Sequence, residues 1–318
     1  MTFSKVGAAV LLCLATTAQA DVDAALDAHI LPGVDRFANA SAALAETKCT
    51  PDALRPAFTE ATLAWAAIAH LNFGPAETGG RARIILFWPE ERNATARGLR
   101  LLQGQGPEAW TPDMIARASA AARGLAGLER LIWEADGEPC ALTRALSNDL
   151  ASTATAIRDE WTDGFANLMR TAGDAGNSRF LGEDEVLGVL FTALLTGLEF
   201  TADGRLGRPM GTFDDPRPGR AQFYRSDLSV PIVVSSLTAL RDLAGTLGEA
   251  PRTQASLTRV IERAVALDDP GLQGVSDPTG RFRVEALQTA VREARTIAAE
   301  ELGTLLNVSV GFNSGDGD

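Results

Sequence analysis

Arg123-Gly124-Leu125-Ala126-Gly127-Leu128-Glu129-Arg130-Leu131-Ile132-Trp133 is the stretch from which the fold is read. It follows Thr111-Pro112-Asp113, a helix start in which threonine caps, proline takes the first helical position and aspartate faces the positive helix end. From there Ile115, Ala118, Ala122, Leu125, Leu128 and Ile132 recur at steps of three and four, the period of a buried helical face. The pattern predicts one helix over 111–135. Glu129 sits beside its apolar face. Gly124 and Gly127 share one side, where another backbone or a ligand can come close. Glycine inside a helix costs about 0.5–1 kcal/mol relative to alanine, so two of them ask for a reason. Two readings stand open. Either the helix packs closely with Glu129 at its rim, paired to an arginine, or Glu129 is a site carboxylate on a rigid helix.

Outward from that stretch, the pattern stays helical. Helices are expected over 21–31, 32–47, 50–72, from 93 or 95 to 103, and over 140–172, 182–203, 229–247, 253–267 and 277–306. Alanine and leucine dominate and aromatics are only 6%, which suits helices better than sheets. Residues 74–92 read as irregular, with Ile84 to Trp88 as a short strand or a buried loop. Asp136-Gly137-Glu138-Pro139 is a break. Gly173 to Asn177 is a glycine-rich link and the expected domain boundary. The helix over 182–203 is apolar nearly all round, as a core helix is. It ends in Gly197-Leu198-Glu199, a repeat of Gly127-Leu128-Glu129 seventy positions on. Residues 204–227 read as a long polar connection holding Arg205, Arg208, Arg217, Arg220 and Arg225. These arginines either hold an anionic ligand or clamp the glutamates of the helices.

Residues 1–20 read as a secretory signal. Lys5 is their only charged side chain, the core from Val6 to Ala15 is apolar, and Ala18-Gln19-Ala20 suits cleavage after Ala20. Leu12 before Cys13 is bulky for a lipoprotein processing site, so plain cleavage and a soluble exported protein are expected. No later apolar run is expected to reach spanning length. Signal loss leaves Cys49 and Cys140, which in an exported chain are expected to form a disulfide. The formal charge of −12 repels phosphate backbones, which argues against nucleic acid as a partner. There is no HExxH, GxSxG or phosphate-cradling glycine motif, and the only histidines are His29 and His70. The tail, residues 311–318, mixes aspartate and glycine and reads as solvated.

An ordered set of stretches resembles the imelysin family: WAAIAHLNFGP at 65–75, FWP at 87–89, RGLAGLERLIW at 123–133, LLTGLEFTADGRLGRPMGTFDDPRPGRA at 194–221 and GFNSGDGD at 311–318. The resemblance implies an all-α protein of two related helical bundles with long connecting loops, exported to the periplasm, its candidate site between the bundles. With the signal over 1–20, the bundles are expected at 21–173 and 174–318. The family is described as metal-dependent peptidases, and members are linked to bacterial iron uptake. Its signature is GxHxxE. Gly124 and Glu129 match, but Ala126 stands where the histidine belongs, and a methyl group binds no metal. The expectation is therefore a non-catalytic protein of iron acquisition or metal binding. The alternatives are a metal-dependent peptidase, with Glu129 its candidate catalytic residue, and a partner-binding scaffold without metal. Candidate binding residues are Gly124, Glu129, Glu199, His70, Arg205 and Arg217. A metal would be held by Glu129 and His70. Oxygen donors favour iron over zinc, and iron-uptake components are the expected partners.

Overall fold

The computed structural model describes residues 21–134 and 140–308. The expected signal over 1–20, the break at 136–139 and the tail from 311 lie outside these residues. Among the described residues every regular element is helical and there is no strand.

Asp21 caps Val22–Ala25 (α1), accepting from the Asp23 N–H at 2.8 Å. A π-helical turn, Leu26–Ile30, leads straight into Leu31–Glu46 (α2). The two helices expected on either side of Pro32 are therefore one path. The wider turn accommodates a ring that would otherwise press on the carbonyl four residues back. Pro51–Ile68 (α3) comes next. The run 84–88 is not a strand. It begins in the short helix Arg81–Ile85 (α4) and leaves it as an irregular segment. Ala94–Gln105 (α5) follows.

The single helix expected over 111–135 is two, Pro112–Arg117 (α6) and Gly124–Trp133 (α7), joined by a tight turn over Ala120–Ala122. Thr111 caps the first as its position suggests, accepting from the Met114 N–H at 3.4 Å. Three local features break the run. The Ser119 hydroxyl accepts from the Ala121 N–H at 3.3 Å. Arg123 is extended, and its guanidinium grips Asp149 at 2.7 and 2.8 Å and the Ala116 carbonyl at 2.8 Å. Gly124 has φ +59°, a conformation that costs any side chain with a Cβ. Periodicity continued across the break because the turn keeps the same side toward the core.

Cys140–Glu160 (α8) passes through a π-helical turn, Trp161–Phe165, into Ala166–Arg170 (α9). Glu183–Glu199 (α10) passes through another, Phe200–Leu206, into Gly207–Met210 (α11). The polar connection expected from residue 204 thus begins later, and Arg205 and Arg208 are helical. The helical run Glu183–Met210 is 28 residues long and apolar enough to cross a membrane. This corrects the expectation that no run after the signal reaches that length. Its apolar positions Val186, Leu190, Leu194 and Leu198 are buried in the protein core. The remaining helices are Ser229–Thr246 (α12), Pro251–Val265 (α13) and Pro278–Leu305 (α14).

Two bundles result. In the first, α2 lies against α3 and α8, with α7 across α3 and α8; in the second, α12, α13, α14 and α10 pack in succession. The link over 171–182 connects them along the chain. In space α3 meets α12, and the Ser235 hydroxyl donates to the Leu63 carbonyl at 2.9 Å. One apolar cluster runs through both bundles, from Phe37, Phe58 and Leu128 to Leu194, Leu240 and Val291. Each such side chain contributes about 1.5–3 kcal/mol when fully buried. Cys49 and Cys140 are bonded, their Cα atoms 5.6 Å apart, tying the entry of α3 to the start of α8.

Candidate functional site

The site is built where α7 passes under the 86–93 segment and the 219–225 segment. These three walls enclose an outer cleft of about 520 Å³. Gly124 shapes it without lining it. A Cβ there would sit 2.2 Å from the Ile84 carbonyl oxygen and 2.3 Å from that of Ile85. The close approach read from the two glycines is therefore one of backbone to backbone. It brings the 84–88 segment down onto α7 and places Leu86, Phe87 and Trp88 as a wall of the cleft.

Ala126 and Glu129 both line the cleft, the first by its methyl group. Glu129 is only 4% exposed. Its Oε1 accepts from the Ser226 hydroxyl at 2.7 Å and the Ser226 N–H at 3.1 Å. Burial pushes the carboxyl above its usual range, opposed by the Ser226 hydrogen bonds and by nearby Arg225. Among the described residues no arginine pairs with it directly. Arg225 pairs instead with Glu134, and Arg130 bridges Glu134 at 2.7 Å and Glu90 at 3.5 Å. Arg92, Arg208 and Arg220 also line the cleft, and none makes an ion pair among the described residues. Arg208 lies over the Trp88 ring, 5.5 Å from its centre.

A second pocket of about 420 Å³ adjoins the cleft at Leu86, Trp88 and Gln222, residues common to both cavities. His70 and Arg205 belong to it. The His70 Nε2 lies 2.9 Å from the Nε2 of His29, so one ring donates and the other accepts. Burial pushes His29 down from 6.5 to about 4 and His70 well below its usual value. The pair is neutral near pH 7. Arg205 is 4% exposed and reaches Thr201, Gln222 and Ser236.

Several expectations are corrected here. Glu199 is not part of a buried site: it is exposed and pairs with Arg295 at 2.9 Å. Arg217 is exposed, pairs with Asp215 and lines neither cavity. Glu129 and His70 do not make a metal site together. They line different cavities, and each is engaged by another partner, Ser226 and His29. Among the described residues no three His, Cys, Asp or Glu side chains come together as a metal would require. A resident metal held by Glu129 and His70 does not fit this arrangement. Sequence reasoning missed Ser226, Gln222 and Trp88. Only the FWP match singled out Trp88, and nothing in the local pattern marks a serine 97 residues from the carboxylate it holds.

The family model for imelysin matches residues 24–298. No curated protein matches the chain by sequence. Among solved structures, an imelysin-like protein from Psychrobacter arcticum superimposes with a TM-score of 0.77 at 18% identity, over 92% of this chain and 96% of that one. A protein named as an iron-regulated protein A precursor, from Parabacteroides distasonis, gives a TM-score of 0.70 at 13% identity, over 93% and 97%. At these identities the likeness establishes the fold.

Proposed function

The chain belongs to the imelysin family, and from that premise we propose that it is an exported, non-catalytic ligand-binding protein that serves iron acquisition. One observation carries the non-catalytic part: the position of the signature histidine is the methyl group of Ala126 on the wall of the outer cleft. A metal-activated water needs about three protein ligands around an open position. Here the neighbouring carboxylate, Glu129, is held by Ser226. Export rests on the charge and apolar pattern of residues 1–20. The iron role is supported by the name of the Parabacteroides relative. The outer cleft fits that role in one respect. Ferric iron wrapped in carboxylate or other oxygen chelators travels as an anion, and Arg92, Arg208 and Arg220 offer unpaired positive charge at the cleft.

The enzymatic part is tested by incubating the mature protein with denatured substrate protein, with and without zinc or iron. No metal-stimulated cleavage is expected. Cleavage that disappears in Glu129→Gln would establish a peptidase instead. The iron part is tested by titration with ferric citrate against citrate alone, in wild type and Arg208→Gln/Arg220→Gln. Binding of the ferric complex that weakens in the double variant is expected. Equal or absent heat for both titrants would remove the iron reading.

A further inference from the structure

The second pocket holds a buried cation, Arg205, that has no counterion among the described residues. The Arg205 guanidinium donates from Nε to the Gln222 Oε1 at 3.1 Å and from Nη1 to the hydroxyls of Thr201 at 3.1 Å and Ser236 at 2.8 Å. All three partners are neutral. Among the described residues its Nη2 makes no hydrogen bond and the group makes no ion pair. A buried charge left in that condition is costly unless something supplies the opposite sign. The Gln222 Nε2 is buried and also lacks a partner. Both side chains line the same pocket. The charge balance of the walls points the same way. The chain has 41 acidic side chains against 29 Lys and Arg, yet among the described residues the pocket is lined by Arg205 and Arg83 and by no aspartate or glutamate. Burial also draws the Arg205 pKa down to about 10, which leaves it charged at neutral pH.

Three aromatic rings supply flat apolar wall, beside polar Asn72, Thr196 and Ser236. Trp65, Trp88 and Phe200 face the space, with Trp88 and Phe200 edge to face at 5.7 Å and the guanidinium over Phe200 at 4.9 Å. The free Nη2 of Arg205 and the unpartnered Nε2 of Gln222 are donors that suit the two oxygens of a carboxylate, and a pocket of this size suits a small organic molecule. We propose that this second pocket is a binding site for a small organic carboxylate with a flat apolar body, its oxygens received by Arg205 and Gln222 and its body by Trp88 and Phe200. This goes beyond the iron reading and uses a different cavity, so either can fail alone.

The test is calorimetric titration of the mature protein with indole-3-acetate, benzoate, acetate and inorganic phosphate, and with indole-3-acetamide as the uncharged counterpart. Indole-3-acetate is expected to bind more tightly than acetate or phosphate, and the amide about tenfold or more weaker than the acid. Arg205→Gln should weaken indole-3-acetate by about ten- to a hundredfold. Arg205→Lys, which keeps the charge but not the planar guanidinium that places Nη2, should fall between. Phe200→Ala, at a partly exposed position, tests the apolar wall in a protein expected to remain folded by circular dichroism. It should weaken the aromatic acids but not acetate. Arg220→Gln, at a residue that lines only the outer cleft, should leave indole-3-acetate unaffected, separating the two sites. Three results would overturn the proposal: no saturable binding of any carboxylate up to about 10 mM in the folded wild type, equal binding of acid and amide, or affinity unchanged by both Arg205→Lys and Phe200→Ala.

Discussion

Gly127-Leu128-Glu129 and Gly197-Leu198-Glu199 are the same three residues late in two core helices, and the structure treats them in opposite ways. Glu129 is buried in a cleft and held by Ser226. Glu199 is exposed and paired with Arg295. The glycines differ as well. A Cβ at Gly127 would lie 2.3 Å from the Ala122 carbonyl oxygen, a backbone atom fixed by the turn before α7. At Gly197 it would meet the Leu240 Cδ2 at 2.7 Å and the His70 Cβ at 3.0 Å, side-chain atoms. What surrounds a helix position comes from the element that crosses it. For α7 that is the 219–226 segment and the turn at 120–122; for α10 it is α12, α14 and the end of α3.

Covalent anchoring separates the two regions most. The disulfide closes a loop that contains all of α3 to α7, including the first triplet but not the second. Reduction, or Cys49→Ser with Cys140→Ser, should cost about 2–5 kcal/mol in urea unfolding. It should also raise hydrogen exchange in α7 more than in α10. Equal protection loss in both helices would break the contrast. The glycines come next. Gly127→Ala should destabilise by about 2–4 kcal/mol, because a backbone carbonyl must move, and Gly197→Ala by about 1 kcal/mol, because the end of Leu240 can turn aside. The reverse order would mean that the turn before α7 yields more easily than the packing of α10.

The surroundings also predict pH responses of opposite sign. His29 and His70, the latter against Gly197, have folded pKa values below their unfolded ones. Burial is the main cause for both. Asp242 opposes it for His29, while Arg36 adds to it at His29 and Arg205 at His70. The unfolded chain therefore takes up protons first. Their stabilisation is complete above 6.5 and is lost as pH falls toward about 4. Thermal scans of His29→Gln should show a shallower acid decline than wild type. An unchanged decline would mean that the pair does not govern it. Glu129 works the other way. Burial raises its folded pKa above 4.5, so its contribution is complete below that value and is lost as pH rises through the folded one. Glu129→Gln should remove that fall and change stability at neutral pH by no more than about 1 kcal/mol. The smallest effect is expected at Glu199→Gln, whose surface pair is worth about 0.2–1 kcal/mol. A larger loss at Glu199 than at Glu129 would contradict the burial difference.

Much of this was legible along the chain, and the misses have physical causes. Helix starts such as Thr111-Pro112-Asp113 and Asp277-Pro278 lie where the structure has them, because a cap is a contact between near neighbours. Asp277 accepts from the Thr279 and Gly280 N–H groups at 2.9 and 3.1 Å. The turn at 118–124 was hidden because alanines keep an apolar period whether or not the helix is continuous, and only the φ of Gly124 reveals the break. Arg205 was read as part of a polar loop because an arginine beside glycines resembles one. The π-helical turn Phe200–Leu206 instead keeps the chain helical and turns that side chain inward.

The amino-acid sequence by itself determined an all-helical chain, the order and approximate limits of its helices, a signature helix with alanine in the histidine position, and membership of a family. Periodicity and capping carry such information because they act over one or two turns. The tertiary structure alone decided that Glu129 meets Ser226, that Glu199 meets solvent and Arg295, and that Arg205 faces a pocket without an acid. Those outcomes depend on which distant segment arrives across a helix, here 97, 96 and 17 residues away. A local pattern records that a face is to be covered, and the packing of the two bundles decides by what.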